Sequence, residues 1–173
     1  MAEAGRVSLE FTQDGEDVAS CAMSEDHPLA ALSGTWSGTG RGEYPTIADF
    51  AYTEELVIIP VPGRPLAHWR SATRDAATNE PKHAESGFLR ATAQGVELVV
   101  AHGFGIVETA IGSFDGEILA LRTTGLLGTP SAKRVDQVER RYELHDEAMQ
   151  YKIAMAAVGT PLTHHLSAEL RRA

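Results

Sequence analysis

From Leu29 onward, apolar residues recur at every second position. Phe50, Tyr52, Leu56 and Ile58 fall on one side of a run over 50–59. Val96, Leu98 and Val100 share a face further on, and Met149, Tyr151, Ile153, Met155 and Ala157 alternate without interruption. Similar runs cover 64–73, 84–92, 106–114, 117–126 and 131–144. A period of two puts these side chains on one face of an extended chain, so each run predicts a half-buried β-strand. Pro62-Gly63, Gln94-Gly95, Asp115-Gly116 and His145-Asp146 separate the runs. Asp-Gly between alternating segments is a tight-hairpin signal. Short turns between strands of about ten residues predict an all-β antiparallel meander of about ten strands. Closing such a meander into a barrel removes its exposed edges.

Two stretches depart from this period. Leu29-Ala30-Ala31-Leu32 reads as a helical turn ahead of the first strand. At the other end, Thr160-Pro161 offers an N-cap and a proline at the first helical position. Leu162, Leu166 and Leu170 then recur every fourth residue, which predicts a short C-terminal helix.

The first strand is unusual in composition. In Gly34-Thr35-Trp36-Ser37-Gly38-Thr39-Gly40-Arg41-Gly42, alternate positions are Gly34, Trp36, Gly38, Gly40 and Gly42. One face therefore carries almost no side chains, although glycine weakens a strand. Either a ligand or another backbone lies against that face, or the strand bends at a crowded barrel corner.

Length and charge narrow the classes. A chain of 173 residues fits one domain. Its net charge of −9 disfavours both nucleic acid and anionic membrane surfaces as partners. Much of that charge sits in 1–26, where seven acidic residues face Arg6 alone. That segment reads as a flexible acidic tail, with the barrel domain over 27–173. Cys21 is the single cysteine, which excludes an intrachain disulfide and any C-x-x-C site. No apolar run is long enough to span a bilayer as a helix, and Met1 to Ser20 lack the pattern of a signal peptide. The expected location is cytoplasmic.

Few residues suggest chemistry on their own. Gly38-x-Gly40-x-Gly42 lacks the spacing and following helix of a phosphate loop, and no G-x-S-x-G is present. His68, His83 and His102 fall in or beside strands. Histidines pointing into one barrel can bind zinc, but spacing alone does not show convergence. On the predicted C-terminal helix, steps of about 100° from Leu162 put Leu166 at about 40°, His165 at about −60° and His164 at about 200°. His165 then flanks the apolar stripe and His164 faces water. His165 reads either as a metal or haem ligand at the barrel mouth or as a core-edge histidine bonded to backbone.

Gly34-Thr35-Trp36-Ser37-Gly38-Thr39-Gly40 fits the G-x-W-x-G-x-G signature of the nitrobindin family. Glu43-Tyr44-Pro45-Thr46-Ile47, His83-Ala84-Glu85-Ser86-Gly87-Phe88-Leu89-Arg90, Val96-Glu97-Leu98-Val99, Ala132-Lys133 and Pro161-Leu162-x-x-His165-Leu166 also resemble it. The likeness runs from about Leu29 to Leu170 and leaves out only the acidic tail. It implies a barrel similar to fatty-acid-binding proteins, with haem b at the mouth and His165 as axial and catalytic iron ligand. It further implies binding of nitric oxide and isomerisation of peroxynitrite to nitrate at ferric haem. Thr46 and Lys133 become candidate contacts to the haem edge, Gly38 and Gly40 a flat face for the porphyrin, and His83 a cavity residue near the iron. His164 is a departure from the family pattern. The competing readings are a non-enzymatic nitric oxide sensor or carrier, and a barrel for an apolar ligand. A homodimer stays open as the assembly.

Overall fold

The computed structural model describes residues 27–173; the acidic segment 1–26 lies outside them. Ten antiparallel strands follow one another in sequence order: β1 (Gly34–Tyr44), β2 (Ile47–Pro60), β3 (Leu66–Asp75), β4 (Pro81–Thr92), β5 (Gly95–His102), β6 (Ile106–Phe114), β7 (Ile118–Gly128), β8 (Val135–His145), β9 (Ala148–Ala157) and β10 (Thr160–Arg172). Each pairs with its neighbours, and β10 returns to β1, so the barrel is closed. The alternation in the sequence is the alternation of the walls. Trp36, Leu56, Trp69, Leu89, Leu98, Leu119, Met149 and Leu170 point inward and are completely or almost completely buried.

The two ends of the barrel differ. The 3₁₀ turn Ala30–Leu32 closes one end, with Leu29 and Leu32 fully buried beneath it. Trp36 Nε1 donates to the Leu32 carbonyl at 2.9 Å and ties the plug to β1. The hairpins β1–β2, β3–β4, β5–β6, β7–β8 and β9–β10 ring the opposite end, where the core gives way to a cavity. In the β9–β10 turn both Val158 (φ 48°) and Gly159 (φ 82°) are left-handed, as the twist of a two-residue hairpin demands. Glycine takes that conformation freely, whereas a β-branched valine is strained in it.

The predicted C-terminal helix is corrected by the structure: residues Thr160–Arg172 form β10. Leucines four apart share a face of a strand as well as of a helix, because four is a multiple of two. The choice is made by the barrel. Without β10, β1 and β9 would each expose a row of unpaired backbone groups, while an isolated helix of three turns is marginal.

The glycine face of β1 is also explained by packing. A Cβ on Gly38 would meet the Glu169 carbonyl oxygen of β10 at 2.0 Å. On Gly40 it would meet the Tyr52 ring at 2.2 Å, and on Gly42 the Phe50 ring at 2.1 Å. Two aromatic rings from β2 thus lie over the bare stretch of β1. Gly38 and Gly40 do not line the cavity, and packing alone accounts for their lack of side chains. Their effect on the site is indirect, through the seats they give to Phe50 and Tyr52. Gly40→Val is therefore expected to lower apo-protein stability by about 1–3 kcal/mol through overpacking. Thermal unfolding checks this against haem titration; a large loss of affinity with unchanged unfolding would restore the ligand reading.

Candidate functional site

The cavity at the open end has a volume of about 960 Å³. That lies at the upper end of the range of about 300–1,000 Å³ typical of small-molecule sites. Phe50, Ile106, Val135, Ile153, Met155 and Leu166 make much of its wall apolar. Polar groups enter at two places, the rim and the floor.

His165 is brought to the wall by a fault in the strand ladder. In β10, His164 pairs with Ala154 and Leu166 with Ile153, neighbours on β9, so His165 is an extra residue. A bulge of this kind re-aims side chains. It lets both His165 and Leu166 line the cavity, which a regular strand would forbid for consecutive residues. His164 stays off the cavity, with Nε2 4.0 Å from Glu43 Oε1 on the outside. The inward and outward assignments of the two histidines stand, but a bulged strand and not a helix produces them.

The His165 ring is held on several sides. Tyr44 and Phe50 meet it edge-on at centroid distances of 5.2 and 6.4 Å. Tyr44 is itself fixed: its hydroxyl accepts from the Ala157 N–H at 2.9 Å and donates to the Met155 carbonyl at 3.2 Å. His165 Nδ1 donates to the Glu43 carbonyl at 3.1 Å. A carbonyl only accepts, so this bond puts the proton on Nδ1 and leaves Nε2 with its lone pair. Burial pushes the His165 pKa below its ordinary value, against the raising effect of the Glu43 bond. A neutral imidazole beside an apolar cavity, oriented through its second nitrogen, has the donor chemistry of an axial haem ligand.

Thr46 and Lys133 both line the mouth. Thr46 sits in the β1–β2 turn and Lys133 in the β7–β8 connection, and both are exposed. Lys133 adds positive charge to a rim that also holds Lys82, whose Nζ pairs with Asp75 at 3.1 Å.

His83 also reaches the cavity, within a polar cluster on its floor. His83 and Glu85 are two apart on β4, so they share the inner face, and His102 of β5 stands directly opposite Glu85. Arg140 of β8 holds Glu85 with Nη1 at 3.0 and 3.1 Å and Glu108 of β6 with Nη2 at 2.6 Å. Burial acts against both carboxylates, yet Arg140 and the histidines hold Glu85 and Glu108 below the ordinary range. Trp69 Nε1 donates to Glu85 and Thr123 Oγ1 to Glu108. His68 is not part of this group; it lies outside the barrel against Phe88. Deeper in, the Tyr52 and Tyr151 hydroxyls are 2.6 Å apart. Tyr151 and Ser71 both donate to Glu54, whose carboxyl is pushed up by burial.

Thr46, His83, Lys133 and His165, singled out in the sequence, all line the cavity, as does His102, named there only as a possible zinc histidine; Glu85, Phe104 and Arg140 were given no role. Inward parity on their strands was the available signal for Glu85, His102 and Arg140. A charged residue in register with buried apolar ones marks an interior network.

The family model for the "THAP4-like, heme-binding beta-barrel domain" matches residues 26–172. "Peroxynitrite isomerase 2" of Mycobacterium ulcerans is 44% identical over 149 residues, covering 83% of this chain and 92% of the relative. "Peroxynitrite isomerase 1" of Mycolicibacterium paratuberculosis is 44% identical with the same coverage. The crystal structure of Rv2717c from M. tuberculosis superposes with a TM-score of 0.75 at 38% identity, over 84% of this chain and 94% of that one. With the match extending over nearly the whole barrel, the chain belongs to the THAP4-like, heme-binding β-barrel family, the nitrobindins.

Proposed function

We propose that this chain holds haem b through His165 and isomerises peroxynitrite to nitrate, and that it also binds nitric oxide. The observation that carries the reading is the neutral His165, bonded at Nδ1 to the Glu43 carbonyl and turned by a bulge onto the wall of a large apolar cavity. The names of the mycobacterial relatives support the reaction. Bound there, ferric haem would supply Lewis acidity toward peroxynitrite, and an isomerisation needs no reductant.

The chain's own residues have separate tasks in this reading. His165 gives its Nε2 electron pair, and the Glu43 carbonyl keeps the ring in one orientation and raises its donor strength. Thr46 and Lys133, at the mouth, would hold the polar edge of the macrocycle, the lysine by charge-assisted hydrogen bonds. Phe50, Ile153 and Met155 make the cavity wall apolar and would keep water from the bound group. His83, 3.3 Å from Glu85 Oε1, can hold a proton beside an anionic ligand in the cavity. A cytoplasmic setting belongs to the same reading and rests on Cys21 being the single cysteine.

Stopped-flow decay of peroxynitrite tests the proposal. The rate and the nitrate yield are expected to rise in proportion to haem loaded, with apo protein inactive. His83→Ala is expected to slow the reaction by less than about a hundredfold, the low end for a proton-transferring residue. Haem-loaded protein that binds nitric oxide but leaves peroxynitrite decay unchanged would make the chain a sensor or carrier.

A further inference from the structure

The floor of the cavity carries an arrangement of which the haem reading uses His83 alone. His83 Nε2 lies 3.3 Å from Glu85 Oε1 and 3.3 Å from His102 Nδ1. The remaining side of the triangle, His102 Nδ1 to Glu85 Oε1, is 3.5 Å. Donors around a tetrahedral zinc ion at about 2.0–2.1 Å stand about 3.3–3.4 Å from one another. The three atoms are thus already spaced as one face of a metal coordination tetrahedron.

The protons are arranged to suit a cation. Glu108 accepts Thr123 Oγ1–H at 3.0 Å and Arg140 Nη2–H at 2.6 Å, so it is held as a carboxylate. At 3.1 Å it also faces His102 Nε2, and a carboxylate can only accept there. In the neutral ring the His102 proton therefore sits on Nε2, and Nδ1 presents a lone pair. Across the triangle that lone pair meets Glu85 Oε1, a second acceptor, at 3.5 Å. Two electron pairs directed at one point require a positive centre between them. In the metal-free chain the N–H of His83, or a second proton on His102, supplies it.

The surroundings complete the pattern. A metal-bound histidine usually donates its other nitrogen to a carboxylate, which is the part Glu108 plays for His102. Arg140 keeps Glu85 ionised, so no proton need leave before it ligates. With both histidines neutral, two carboxylates against one guanidinium leave one negative charge uncompensated. Phe104 lies over both histidine rings, with centroids 4.9 and 5.2 Å away, and restricts their rotation.

We propose that His83, Glu85 and His102 form a binding site for a divalent transition metal ion, of the zinc type, with its fourth position open to the cavity. Two imidazoles and one carboxylate with an exchangeable fourth ligand are the donor set of a reactive rather than a structural zinc centre. The site would present a Lewis acid to an anionic ligand held in the cavity. It requires neither haem nor His165, so it stands or falls separately from the isomerase reading.

The test is titration of the full-length chain, free of a Soret band, with Co²⁺ and then Zn²⁺. One equivalent of Co²⁺ is expected to give the intense visible bands of a four-coordinate ion, and one equivalent of Zn²⁺ to displace it, in line with its higher affinity at nitrogen and oxygen sites. His83→Ala and His102→Ala should each weaken binding by more than about 100-fold, and Glu108→Gln by about 10–100-fold, the usual effect of losing an outer-shell partner. His83 reaches the cavity surface, so its alanine variant is expected to fold, and circular dichroism checks that it does. His165→Ala should bind Co²⁺ as the parent chain does. A Co²⁺ spectrum that stays weak and six-coordinate overturns the proposal. So does binding that survives in folded His83→Ala, or binding that is lost in His165→Ala.

Discussion

His165→Ala is expected to abolish stoichiometric haem binding, while His164→Ala leaves it nearly intact. The two residues are adjacent, yet the bulge between the pairs His164–Ala154 and Leu166–Ile153 separates their directions. His165 lines the cavity, and His164 lies outside beside Glu43. Removing His165 takes away the nitrogen lone pair that the Glu43 carbonyl fixes in place. The Soret band during haemin titration reads both variants directly. Equal loss in the two would mean that the bulge does not select the ligand. A pH dependence accompanies this. Burial lowers the His165 pKa, so the ring stays neutral below the ordinary histidine range, and protons compete with iron only at more acidic pH. Haem retention by the parent chain should therefore persist as pH falls through about 6.5, the unperturbed value. Release centred at or above that pH would show that burial does not protect the ligand.

The strands were readable because a barrel wall with one buried face repeats every two residues. Met149 to Ala157 carries that repeat without a break, and Asp115-Gly116 marks a hairpin. The C-terminal segment misled because Leu162, Leu166 and Leu170 satisfy both periods, and a proline after threonine suits a helix start as well as a strand entry. What selects the strand is the pair of open edges on β1 and β9, which are far apart in sequence. The glycine strand posed a question that only tertiary structure answers. Nothing near Gly40 in the sequence says that the Tyr52 ring lies 2.2 Å from where its Cβ would be. The cluster of His83, Glu85, His102, Glu108 and Arg140 could not be assembled from the sequence for the same reason, although the inward parity of its members was visible. Its members come from β4, β5, β6 and β8, and their convergence depends on register and barrel closure rather than on spacing. His165 was named through its family motif. The helical argument gave it the correct facing on the wrong element.

Arg140→Met should be the most damaging single change in the barrel interior. Arg140 is the guanidinium shared by Glu85 and Glu108, and all three are buried. A buried ion pair often adds little net stability over an apolar replacement of the whole group, but deleting one partner leaves the other charge uncompensated, at a cost of about 3–5 kcal/mol. Here two carboxylates are left, with Trp69, Thr123 and the two histidines as their remaining partners. The pH dependence identifies the mechanism. In the parent chain Glu85 and Glu108 are held below the ordinary carboxylate range, so their contribution is complete above the unfolded-state pKa and is lost as pH falls toward their folded values. Without Arg140 both carboxylates shift upward and take up protons in mildly acidic solution, which relieves the buried charge. The stability gap between variant and parent should therefore be widest near neutral pH and narrow as pH falls. Urea unfolding at a series of pH values measures it. A gap that is the same at every pH would mean that the loss is one of packing around the arginine stem rather than of charge.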